Sequence, residues 1–201
     1  MKKTMIVLVS ALLLALLLSA CGDNKEARNI LHDDDGIYAG FSDIPKEYTA
    51  ANAVADGCLV IDTTQKANEY GVNITDRQET YGYEQWQNFL EKSGAGENAF
   101  LRVAHFIDGV GYYHDLYYRD GSYTIFDCNE YGISESKSFR YLRKLDGKAG
   151  SASAPEDDCF YVLTDSAELT YRDVNWSFLS SDLSTVTDIP FVWLGFMIYF
   201  E

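Results

Sequence analysis

The chain reads as an α+β fold: an antiparallel β-meander sheet with one main amphipathic helix packed across one face. Three observations predict it. Between Ala99 and Leu145, four segments rich in Tyr, Phe, Val and Ile follow one another, separated by turn-forming stretches. One of those turns carries Asp120-Gly121, a strong hairpin signal because both central positions of a type I′ turn need positive φ. Upstream, Tyr83, Trp86, Phe89 and Leu90 fall on one helical face, so a helix precedes the strands and is the obvious cover for one side of the sheet.

Taken in order, the chain opens with Lys2 and Lys3, an apolar stretch from Met5 to Leu18, and then Leu18-Ser19-Ala20-Cys21. A positive start, an apolar centre and small residues before a cysteine resemble the signal of bacterial lipoproteins, with the last four residues as its lipobox. That resemblance implies a signal peptide over residues 1–20, removal before Cys21, and a diacylglyceryl group on the Cys21 sulfur. Two acyl chains, at about 0.8 kcal/mol per buried CH₂, hold a protein on a membrane where one chain does not. The rival, a spanning helix, is weaker, since the apolar run falls short of the roughly 20 residues that cross a bilayer. The expected location is therefore the extracytoplasmic face of the cell membrane, with the lipid as the only cofactor.

Residues 21–42 are polar and acid-rich, as in a tether, and 43–201 then form a single α+β domain. Asp43-Ile44-Pro45 suits a helix start, with Tyr48, Ala51 and Ala55 at helical spacing and Asp56-Gly57 as the stop. Cys58–Asp62 is a short apolar run and reads as a strand, whereas residues 63–80 are polar and read as a long loop. The Trp86 helix ends at Ser93-Gly94. Strands follow over Ala99–Asp108, Tyr112–Arg119, Tyr123–Asn129, Phe139–Leu145 and Cys159–Thr164, a β-α-β-β-β-β order that is cystatin-like in plan. A short helix is expected near Trp176–Leu179. The apolar stretch at 191–200, from Phe191 to Phe200, is too short to span a bilayer and reads as a buried final strand. The alternative is contact with a membrane surface, which Trp193 and Tyr199 would suit.

The formal charge is −15, and removing the two signal lysines takes it to −17. Such acidity speaks against nucleic acid and anionic headgroups as partners, and it leaves room for cations or a basic protein. With Cys21 assigned to lipid, Cys58, Cys128 and Cys159 remain, so at most one internal disulfide forms. Three unbridged, buried cysteines are the leading reading, with Cys128–Cys159 the favoured pair if a bridge exists. No Cys-x-x-Cys, Gly-x-Ser-x-Gly, phosphate-binding glycine loop or His-Glu-x-x-His motif occurs.

Several short motifs have a family likeness. They are Tyr48-Thr49-Ala50-Ala51-Asn52-Ala53, Asp56-Gly57-Cys58-Leu59-Val60, Trp86-Gln87-Asn88-Phe89-Leu90, Leu101-Arg102-Val103, Asp115-Leu116-Tyr117-Tyr118-Arg119-Asp120-Gly121 and Tyr161-Val162-Leu163-Thr164. Together, over roughly residues 45–165, they resemble a family of small lipoproteins of unassigned function, mostly from Gram-positive bacteria. The resemblance implies an α+β domain behind a lipobox and carries no catalytic residue with it. The stretch after Phe191 departs from it.

Two sets of residues are candidates for chemistry. With a hairpin tip at Gly109-Val110, His105 lies opposite His114; with a tip at Asp120-Gly121, His114 lies opposite Asp127. Directly opposed Cβ atoms sit about 4.5–5.5 Å apart, so the three form a row on one sheet face. Two imidazoles and a carboxylate can ligate a divalent metal or relay a proton. Leu101, Val103, Leu116 and Ile125 share that face, which favours a structural polar cluster at the edge of the core. The opposite face carries Arg102, Phe106, Tyr113, Tyr117 and Arg119, the composition of a protein-binding surface. The sequence thus leads to a membrane-anchored, non-enzymatic binding or accessory domain whose partner is an envelope protein or other envelope component. The alternative is a metal-binding protein or metal-dependent enzyme built on the His/His/Asp row.

Overall fold

Cys58-Leu59-Val60-Ile61 offers no polar side, and a strand of that kind must be covered on both faces. It leads into β1 (Leu59–Ala67), whose Leu59, Val60 and Ile61 are fully buried. β1 pairs antiparallel with β2 (Asn73–Tyr81) and parallel with β3 (Ala99–Ile107). From β3 onward, β4 (Val110–Arg119), β5 (Ser122–Asn129) and β6 (Gly132–Glu135) form an antiparallel meander. The result is one mixed sheet in the order β2-β1-β3-β4-β5-β6. These features come from a computed structural model that describes residues 40–129, 132–151, 153–180 and 186–200. The signal segment, Cys21 and the tether up to residue 39 lie outside the described residues.

Three expectations need correction. Residues 63–80 are not a loop but the outer half of β1, a tight turn and β2. Asn68 closes that turn, its side-chain oxygen accepting from the backbone N–H of both Tyr70 and Val72 at 2.9 Å. The outer hairpin is exposed on both faces and laced by Lys66–Asp76 and Arg77–Glu79 pairs, so its sequence shows no alternating apolar face. This extra strand and the parallel β1–β3 pair break the expected β-α-β-β-β-β order and its cystatin-like plan. Second, the segment after Phe139 leaves the meander. Phe139 exchanges both backbone hydrogen bonds with Tyr123, at 2.7 and 2.8 Å, and the chain then turns into a separate sheet. That sheet is antiparallel, in the order β7 (Tyr141–Ser151), β8 (Ala154–Thr164) and β9 (Phe191–Trp193). Third, the apolar C-terminal stretch is a strand for only three residues and continues as a 3₁₀ segment, Gly195–Phe200.

Among the described residues, three α-helices cover the sheets. α1 (Ala50–Ala55) starts five residues after Pro45, because Thr49 and Asn52 form a capping box and Pro45–Tyr48 makes a turn instead. α2 (Tyr83–Gly94) buries Trp86, Phe89 and Ser93 at helical spacing. α3 (Tyr171–Leu179), longer than expected, is capped in the same way as α1 by Thr170 and Asp173. Side-chain alternation then sorts the layers. α1 with Ala53 covers Val60, Ala104 and Phe106 on one face of the large sheet. On its other face Leu59, Ile61, Leu101, Val103 and Leu116 meet Trp86 and Phe89 of α2, Leu163 of the small sheet, and Phe196 and Met197. The far side of the small sheet, with Phe160 and Val162, packs on Leu169 and Val174 at α3. The residues from Phe41 onward cluster as one compact unit.

Candidate functional site

Asp108 and Gly109, with φ of 50° and 81°, form the tip between β3 and β4, repeating the chemistry of Asp120-Gly121 at 52° and 79°. The tip is therefore one residue earlier than Gly109-Val110. His105 faces Tyr112, and His114 faces Val103. The second register is as expected, with His114 opposite Asp127. Because the displacement along β4 is two residues, the face is preserved and only the straight row is lost. His105, His114 and Asp127 share one side of the sheet as a diagonal.

Each is held by its own partner. His114 Nδ1 lies 2.6 Å from Asp127 Oδ1. A carboxylate only accepts, so Nδ1 carries the proton, and in the neutral ring Nε2 is then an acceptor. His105 Nε2 is 3.3 Å from the Thr63 hydroxyl on β1. Burial, and then the neighbouring His114, push the His105 pKa below its ordinary value of 6.5. Among the described residues, no group of three or more His, Cys, Asp or Glu side chains is placed to hold a metal ion.

The C-terminal segment turns this diagonal into a cleft. After β9, Leu194 N–H donates to the Tyr161 carbonyl at 2.8 Å and Met197 N–H to the Leu194 carbonyl at 3.0 Å, which curls the chain over the sheet. Phe196 lies against the His114 ring at 5.6 Å between centroids, and Tyr199 meets His105 edge-on at 5.2 Å. With Trp193 at the rim they line an open cleft of about 370 Å³ that also holds His105, His114 and Asp127. Sequence reasoning did not place these three aromatics in the site. Their only signal is Gly195, whose missing side chain leaves room for Trp193; a Cβ there would stand 3.3 Å from the indole.

The other proposed surface is largely interior. Arg102 and Phe106 are only 9% and 1% exposed. Phe106 packs under Tyr48 and Tyr113, while Arg102 makes a bidentate pair with fully buried Asp115, at 2.7 and 2.6 Å. Its remaining reach goes to Asp43 at 3.1 Å, with Phe41 against the guanidinium. Burial pulls the Arg102 pKa down, but the hydrogen bonds and charge of Asp115, helped by Asp43, outweigh it and leave the group charged. Tyr113 and Tyr117 are half-buried against Phe106 and Phe126, and Arg119 is exposed. So the face predicted for binding is covered by the chain's own N-terminal segment over much of its width.

The cysteines are unbridged, as the leading reading expects, and the Cys128–Cys159 pair named in case of a bridge is not formed. Cys58, Cys128 and Cys159 are all free, with Cys128 and Cys159 on different sheets. Burial raises the Cys58 thiol pKa, and the Tyr48 hydroxyl at 3.9 Å only partly opposes it. No protein-family model, no curated protein and no solved structure matches this chain.

Proposed function

We propose that this protein is a lipid-anchored accessory domain on the outer face of the cell membrane, and that it binds a ligand without transforming it. The anchor rests on the lipobox ending at Cys21. No helix of the described residues is long and apolar enough to cross a membrane; the proposed attachment is the lipid at Cys21. The binding role rests on a single observation, the open cleft where Tyr199 and Phe196 lie against His105 and His114 beside Asp127, with Trp193 at its rim. A concave apolar lining with a few convergent polar groups is the usual form of a ligand site. Aromatic exposure continues beside it, with Phe178 half-exposed and 5.0 Å from the Trp193 ring.

Two measurements test this reading. Labelled palmitate should enter the wild-type chain and not Cys21→Ser, which should leave the membrane fraction with its fold intact. Immobilised protein should retain envelope material that Trp193→Ala releases. The second reading, a metal site at His105, His114 and Asp127, rests on the three sharing one side of the sheet and would require them to leave their present partners. Stoichiometric metal in the purified protein, lost in His114→Ala, would put that reading ahead.

A further inference from the structure

We propose that the group seated in the cleft is an organic ammonium ion; this rests on the cleft being the binding site and goes on to name its ligand class. The charged chemistry there is acidic: Asp127 is the one carboxylate in the lining. Asp127 uses Oδ1 for His114, and its side chain is 38% exposed, so the second carboxylate oxygen remains to receive a proton donor. Burial disfavours the charged form of His105, and its neutral ring adds an acceptor nitrogen. The residues around the cleft include one carboxylate and neither lysine nor arginine. The rings of Phe196 and Tyr199 lie against His114 and His105, with Trp193 among the lining residues at the rim, and aromatic rings attract cations most strongly where water is partly excluded.

Charge at long range points the same way. At −15 overall, the chain repels anions and concentrates cations at its surface. A bare metal ion would call for converging ligands, and the described side chains do not supply three. An alkylammonium ion needs only one carboxylate, some acceptors and aromatic rings, which is the set on hand. The same chemistry is offered by a small free amine and by a lysine side chain of another protein.

The test is an NMR titration of the full chain, following tryptophan indole and histidine ring signals. Butylammonium stands for the free amine, Nα-acetyl-lysine methylamide for the lysine, and butan-1-ol is the uncharged isostere of butylammonium. At least one ammonium probe should bind saturably, with the isostere weaker by about tenfold or more. The tighter of the two ammonium probes assigns the source. Asp127→Asn, which keeps the shape and an acceptor for His114, should weaken that probe about tenfold while the melting temperature holds. Trp193→Ala gives a second variant at the exposed rim in case the first disturbs His114. Equal binding of butylammonium and its isostere, or a response to glucose or zinc alone, overturns the ammonium assignment and leaves the cleft as a binding site. No response to any of these probes at millimolar concentration overturns both.

Discussion

The least replaceable side chain in the interior is Asp115, which is fully buried and binds both arms of the Arg102 guanidinium. Removing one partner of such a pair leaves a charge stranded away from water. Asp115→Ala should therefore cost about 3–5 kcal/mol in urea unfolding, against about 0.5 kcal/mol or less for exposed Arg119→Ala. His105 supplies a pH dependence whose sign follows from its lowered pKa. The unfolded chain takes up the proton first, so stability from this group is complete above the ordinary 6.5 and falls as pH drops through it toward the folded-state pKa. His105→Phe should flatten the decline in urea midpoint between about pH 7 and pH 5.

At the scale of elements, glycines separate backbone cost from packing cost. Gly121 has φ of 79° and open space around a would-be Cβ, so Gly121→Ala should lose only the left-handed penalty, about 1–2 kcal/mol. Gly82 begins α2 at φ 78°, and a Cβ there would stand 2.4 Å from the Cys58 carbonyl oxygen. Gly82→Ala should cost more than Gly121→Ala, and thermal melts of the two variants give the comparison. The same contrast explains what was legible. The α2 face and the β3–β5 meander were readable, because Trp86/Phe89 spacing and Asp-Gly turns are local signals. The β1–β2 hairpin was not, since its outer half buries neither face and leaves no period to detect. A tip misplaced by one residue at Asp108-Gly109 moved His105 two places from its expected partner yet kept it on the same face of the sheet as His114.

Across the whole molecule, distant pieces of sequence complete one core. Phe196 and Met197, close to the C-terminus, sit in the same cluster as Leu59 and Trp86. No local pattern announces that docking, which is why the aromatics over His105 and His114 went unassigned from sequence. Each buried side chain of this size contributes about 1.5–3 kcal/mol, and a domain has only about 5–15 kcal/mol in all. Deleting residues 195–201 should thus bring the protein close to unfolding, seen as a large drop in melting temperature and new binding of a hydrophobic dye. The opposite end of the described chain meets the domain differently. Phe41 and Asp43 rest on Arg102, whose other bonds reach Asp115 on β4, and β3 itself lies between β1 and β4. A pull on the chain ahead of residue 40 is thereby loaded onto an interior strand through a charged rivet. Mechanical tension would have to shear that rivet before it could peel an edge of the sheet.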